Sequence, residues 1–159
     1  MSTMSAKARA AFHPTVLAVL LTAVGAPAAV AAPADVEPGS APFSSYVRKD
    51  DDHDGRVSGT VSWDGRGGYT IDGTASASCA RSFVGVRYTA WLEYGGTSQS
   101  WKKSSTEGEC SDTYETGTAP VHAEGTLAKG EKLEIRVSSW ISWSINPYAA
   151  GPRQVFTIS

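Results

Sequence analysis

The stretch VGVRYTAWLEYGG, residues 84–96, sets Val84, Val86, Tyr88, Ala90, Leu92 and Tyr94 at every second position and ends in two glycines. Side chains of an extended chain point alternately to opposite faces, so this spacing puts all six on one side of a half-buried strand. Arg87, Thr89, Trp91 and Glu93 then share the other side. Glycine takes positive φ without steric cost, so Gly95-Gly96 reads as a two-residue hairpin turn. That turn pairs Tyr94 with Thr97 and sets Ala90 opposite Trp101.

The same period recurs on both flanks. Val57, Val61 and Trp63 share a face, the turn Asp64-Gly65-Arg66-Gly67-Gly68 follows, and Tyr69 and Ile71 resume the pattern towards Cys79. A third hairpin is expected from Val121, Ala123, Gly125 and Leu127, through Lys129-Gly130, back along Leu133, Ile135, Val137, Ser139 and Ile141. It sets Glu124 opposite Arg136 as a cross-strand ion pair. A last strand runs from Gln154 to Ser159 with Phe156 and Ile158 inward. No stretch after Val57 has sustained helical periodicity. About seven short strands with glycine-rich turns predict an all-β fold, an antiparallel β-sandwich of immunoglobulin-like or jelly-roll-like shape.

Continuing the quoted register brings Cys79 and Cys110, the two cysteines of the chain, to the open end of that hairpin, where a disulfide is expected. Cys79 also precedes Trp91 by twelve residues, which is similar to the strand-B cysteine and strand-C tryptophan of immunoglobulin domains. The resemblance covers that pair alone, because no tyrosine stands two residues before Cys110. It implies a shape and not membership.

Residues 1–31 read as a signal peptide. Lys7 and Arg9 precede an apolar run from Val16 to Val24, and Ala29-Val30-Ala31 fits the small-residue cleavage pattern. The run is too short for a comfortable membrane span, and no cysteine follows the cut to carry a lipid. The expected location is therefore secreted and extracellular, with no stable membrane anchor in the mature protein. Residues 32–49, rich in Pro, Ala and Ser, read as a flexible tail, and residues 50–159 as a single β-sandwich domain. Losing Lys7 and Arg9 moves the formal charge from −2 to −4. That balance argues against nucleic acid as a partner.

One motif suggests a metal. Asp50, Asp52, Asp54 and Gly55 spell D-x-D-x-D-G, the first half of an EF-hand calcium loop, in which alternate carboxylates converge on a hard cation. Val61 stands where the bidentate glutamate would be, so a full EF-hand is excluded. A calcium ion is the candidate cofactor, and the competing reading is a solvated acidic run. No catalytic constellation is expected, since His53 and His122 are the histidines of the mature chain and no G-x-S-x-G turn marks a nucleophile.

Aromatic residues carry the functional expectation. Trp91 lies with Arg87, Thr89 and Glu93, and Trp140 with Arg136, Ser138 and Ser142, so both should point away from the core and serve as ligand-binding residues. The chain is expected to be a non-catalytic binding or interaction module for an extracellular protein or polysaccharide. The alternatives are a carbohydrate-binding module using Trp91 and Trp140, or a proteinaceous protease inhibitor acting through an exposed loop at Ser104 to Thr118.

Overall fold

The alternation predicted from the sequence is realised in two antiparallel sheets. The computed structural model describes residues 36–81 and 85–159; the expected leader at 1–31 and Val84 lie outside the described residues. In chain order the strands are β1 (Gly39–Arg48), β2 (His53–Trp63), β3 (Gly68–Cys79), β4 (Tyr88–Gly96) and β5 (Lys102–Cys110). They continue with β6 (Glu115–Thr126), β7 (Lys132–Ile141), β8 (Tyr148–Ala150) and β9 (Gln154–Thr157). The first sheet has the order β1-β2-β3-β6 and the second β5-β4-β7, with β8 and β9 both along the far side of β7. No helix among the described residues is long and apolar enough to cross a membrane.

The inward positions of both sheets form one core. Val57, Val61 and Ile71 of the first sheet and Leu92, Ile135, Val137 and Ile141 of the second are fully buried. Each such side chain contributes about 1.5–3 kcal/mol through removal from water. Ile158, just beyond β9, closes one end of this core.

Four expectations are corrected. The tail assigned to residues 32–49 contains a ten-residue strand, β1, which pairs along the whole length of β2. Its period was masked by Ser45, which takes an inward place between Phe43 and Val47. The Ser45 hydroxyl is satisfied there, accepting from the Val137 amide at 3.0 Å and donating to the Pro152 carbonyl at 3.0 Å. Gly95 and Gly96 do not turn. They extend β4 and pair with Glu134 and Leu133 of β7. The turn moves to Thr97–Trp101, so Ala90 faces Gly108 rather than Trp101, and the register shifts again between Trp91 and Glu93.

The third hairpin is not a hairpin. β6 stays beside β3 in the first sheet, whereas β7 crosses to β4 in the second. Leu127 and Leu133, expected as a cross-strand pair, are buried on either side of that crossing. Glu124 consequently faces Thr70, and Arg136 faces Glu93.

Cys79 and Cys110 come together with their sulfurs at bonding distance and Cα atoms 6.0 Å apart. The bond is a bridge between sheets, from the end of β3 to the end of β5, and not a clasp on one hairpin. Close approach of β5 to β6 completes that side. A Cβ placed on Gly117 would lie 1.5 Å from the Glu109 carbonyl oxygen, so only glycine fits. On the opposite side the Gln154 amide acts as a substitute strand, accepting from the Ser44 amide at 3.1 Å and donating to the Ser44 carbonyl at 2.9 Å.

Candidate functional site

β4 and β7 are neighbours whose outward positions interlock. Tyr88, Ala90 and Leu92 enter the core, which leaves Thr89, Trp91 and Glu93 on the outer face. Arg136, Ser138 and Trp140 occupy the corresponding face of β7. The register sets Trp91 opposite Ser138 and Thr89 opposite Trp140, so the two tryptophans are diagonal neighbours on one surface. β8 brings Tyr148 directly opposite Trp140, and the Tyr148 ring meets Trp91 edge-on at 6.4 Å.

These residues line a shallow trough in two parts. One part, about 370 Å³, lies between Arg87, Thr89, Lys103, Glu107, Trp140 and Tyr148. The other, about 390 Å³, is bounded by Arg136, Ser138, Ala149 and Ala150. Trp91, Glu93 and Tyr148 belong to both and join them. Each volume falls in the range of small-molecule sites.

The charged groups on this face are tied to one another. Arg136 donates to Glu93 through Nε at 2.8 Å and through a terminal nitrogen at 2.7 Å. Lys103 reaches Glu107 at 2.6 Å, and Arg87 reaches Glu109 at 2.5 Å and Glu107 at 3.8 Å. Cations also cover rings. The Lys103 ammonium lies 4.1 Å from the Trp91 centroid, and Arg136 and Arg153 lie 4.3 and 5.2 Å from that of Trp101.

The predicted pair Trp91 and Trp140 does share one outward face, but not as two open platforms. Trp91 is 5% exposed, roofed by Lys103 and flanked by Tyr148, while Trp140 is half-buried. The register shift between Trp91 and Glu93 places Lys103 opposite Glu93, next to the ring it covers. Tyr148, 62% exposed, is the aromatic that the sequence reading missed. Its strand of three residues is too short to show a period.

The three aspartates of the D-x-D-x-D-G motif take separate duties in the β1–β2 connection. The Asp50 carboxylate accepts from the Asp52 amide at 2.9 Å and meets His53 Nδ1 at 2.8 Å. Asp52 accepts at its carbonyl from the Ala80 amide, and Asp54 is already in β2, opposite Arg48 and Ser78. Asp50 and Asp52 therefore sit in the bend between the strands, and Asp54 stands in the first turn-side pair of β2. Among the described residues no group of three or more His, Cys, Asp or Glu side chains is placed to hold a metal.

His53 turns inward against Tyr88, with ring centroids 5.4 Å apart. His53 Nε2 is buried without a hydrogen-bond partner, and burial pushes the Tyr88 pKa up to about 12 against the opposing effect of the neighbouring Ser139 hydroxyl. His122 lies on the outer face of the first sheet, its Nδ1 2.7 Å from the Asp72 carboxylate. That hydrogen bond raises its pKa above the ordinary histidine value.

The segment Ser104 to Thr118, expected as an exposed loop, is mostly strand. Only the turn between β5 and β6 protrudes, carrying Tyr114 at φ 61° and 83% exposed. The Glu115 carboxylate accepts from the Ser111 and Asp112 amides at 2.6 and 2.9 Å, which holds its pKa below the usual carboxylate value. No protein-family model, no curated protein and no solved structure matches this chain.

Proposed function

We propose that the protein is an extracellular, non-catalytic binding module whose recognition surface is the outer face of β5, β4, β7 and β8. The carrying observation is the pair of adjoining cavities that share Trp91 and Tyr148, with Trp140 lining one of them. Aromatic rings offer large apolar area at small entropic cost, and the Lys103 ammonium over Trp91, tied to Glu107, fixes one of them. Export is supported by the Lys7–Ala31 pattern and by the bonded Cys79 and Cys110, since disulfides persist in oxidising compartments.

The test is capture of the protein on insoluble polysaccharides and on immobilised extracellular proteins. Trp140→Ala or Tyr148→Ala is expected to weaken capture by about tenfold or more, corresponding to about 1.4 kcal/mol. Thr74→Ala, on the outer face of the first sheet, is the control and leaves it unchanged. Capture indifferent to both aromatic substitutions refutes this surface as the site.

A second reading, inhibition of a protease, is favoured by one observation. Tyr114 is a bulky residue in the left-handed region, fully presented on a turn braced by Glu115 and by the nearby disulfide. Tyr114→Gly abolishing inhibition of a secreted serine protease would select it; no inhibition by the parent protein would dismiss it.

A further inference from the structure

We infer that the trough takes an uncharged polysaccharide chain. This rests on the proposed recognition surface and adds the chemical class of its ligand. Four features point the same way.

The first is charge closure. Lys103, Arg87 and Arg136 each already hold a carboxylate, from Glu107, Glu109 and Glu93 respectively. A polyanion would have to displace one of those carboxylates, and a polycation one of those basic groups. Either exchange gives up a charge-assisted hydrogen bond to form a similar one, and strands the displaced charge. A neutral hydroxyl meets no such barrier. It donates to a carboxylate oxygen, or accepts from a guanidinium N–H, while the ion pair stays closed.

The second is a fixed polar wall. Both Arg136 donors converge on one Glu93 oxygen, the other Glu93 oxygen accepts from the Trp91 indole N–H at 3.4 Å, and the pair is only about one-fifth exposed, so its remaining hydrogen-bonding positions have fixed directions. Vicinal hydroxyls present neighbouring donors and acceptors that can meet such a wall.

The third is apolar surface with a polar edge. Tyr148 is exposed and Trp140 half-buried, and they line the same cavity as the charged side chains of Arg87 and Glu107. A sugar ring has an apolar C–H face and a hydroxylated rim, and needs both kinds of surface together. A purely apolar ligand would leave the charged walls without partners.

The fourth is shape. The two parts of the trough share Trp91 and Tyr148, so neither is a blind pocket. An extended chain spans both, whereas a single small molecule would fill one.

The experiment is affinity electrophoresis through gels holding soluble polysaccharides. Neutral polymers (hydroxyethylcellulose, arabinoxylan, glucomannan) are compared with anionic polygalacturonate and cationic chitosan. The expected result is retardation by at least one neutral polymer, changing by less than about twofold between about 50 and 500 mM salt. Trp140→Ala and Tyr148→Ala should each reduce it by about tenfold or more. Glu107→Gln removes the partner of Lys103 and should create retardation by polygalacturonate that the parent protein lacks, with circular dichroism confirming the fold. Salt-sensitive binding of polygalacturonate or chitosan by the parent, abolished by Trp140→Ala, overturns the ligand class and leaves the recognition surface standing. Neutral binding unaffected by Trp140→Ala overturns the surface itself. No retardation by any polymer, with Trp140-dependent capture by an immobilised protein, overturns the polysaccharide.

Discussion

The two outer faces of the sandwich are built on the same inward pattern and finished in opposite ways. The first sheet presents mainly short polar side chains, Thr60, Ser62, Thr70, Asp72 and Thr74 among them, with Arg56 over the Tyr46 ring towards one end and a cavity of about 600 Å³ beside Trp63, Thr70 and Glu124 towards the other. The second presents Trp91, Trp140, Tyr148 and long charged groups across β4, β7 and β8. One ion pair on each face makes the contrast measurable. His122 and Asp72 are 64% and 68% exposed in side chain, whereas Arg136 and Glu93 are 22% and 19%. Short neighbours leave a pair open to water and salt; large aromatic neighbours exclude water around it and fix its geometry. A face that holds a ligand in one orientation gains from the second arrangement.

The largest expected effect tests whether the faces belong to one cooperative body. Replacing Cys79 and Cys110 together by serine removes the bridge between sheets, with a sequence separation of 31. The chain-entropy model puts the loss at about 3–4 kcal/mol, or a fall in melting temperature of about 10 °C or more. Tryptophan near-ultraviolet dichroism follows the second face, and the His122 ring resonance follows the first. Both signals should disappear in a single transition, and separate midpoints would break the comparison by showing two independent sheets.

A smaller effect is expected at the seam. Gly117→Ala places a methyl group against the Glu109 carbonyl and forces β5 from β6, which should cost about 1–3 kcal/mol in denaturant unfolding. Gly130→Ala has open space around its Cβ but positive φ, so its loss arises from backbone strain alone. A neutral Gly117→Ala would mean that the two sheets are not held this closely.

The ion pairs sharpen the contrast further. A double-mutant cycle on Arg136→Ala and Glu93→Ala should give a coupling of about 1 kcal/mol, since the pair is partly shielded and two Arg136 nitrogens converge on one Glu93 oxygen. The same cycle on His122 and Asp72 should give none that denaturant unfolding resolves. Equal couplings would erase the difference between the faces.

The smallest effect is a titration. The Asp72 carboxylate raises the pKa of His122, so the folded protein binds that proton more tightly than the unfolded chain. The stabilisation is complete below the ordinary histidine pKa of about 6.5 and is lost as pH rises through the elevated folded value. Asp72→Asn should return the His122 midpoint, followed by proton resonance, to the ordinary value. A midpoint unmoved by that substitution would separate the two side chains in solution.

Much of the molecule is written in local periodicity. The alternation in residues 57–79, 84–94, 121–127 and 133–141 determined an all-β chain and which side of each strand enters the core. It also turned Trp91 and Trp140 each away from the core, because face depends only on odd or even position; that both stand on one face was decided by the pairing of β4 with β7. The pairing of Cys79 with Cys110 was legible from their number, although the hairpin geometry used to reach it was not the real one. What the period cannot contain is the partner of each strand. β6 lies beside β3 and β7 beside β4 because a shared core is filled that way, and the Lys129-Gly130 turn looks the same whether its flanks pair or part. Gly95 and Gly96 turned out to be strand because Leu133 and Glu134, far along the chain, bond to them. β1 was invisible because an inward serine interrupts its pattern, and only Val137 and Pro152 make that serine acceptable. Depth obeys the same rule: the sequence determined the side on which Trp91 stands, and the tertiary structure decided that Lys103 and Tyr148 would cover it. A residue's face is fixed by its own two neighbours in the chain, and its burial by residues that only folding brings near.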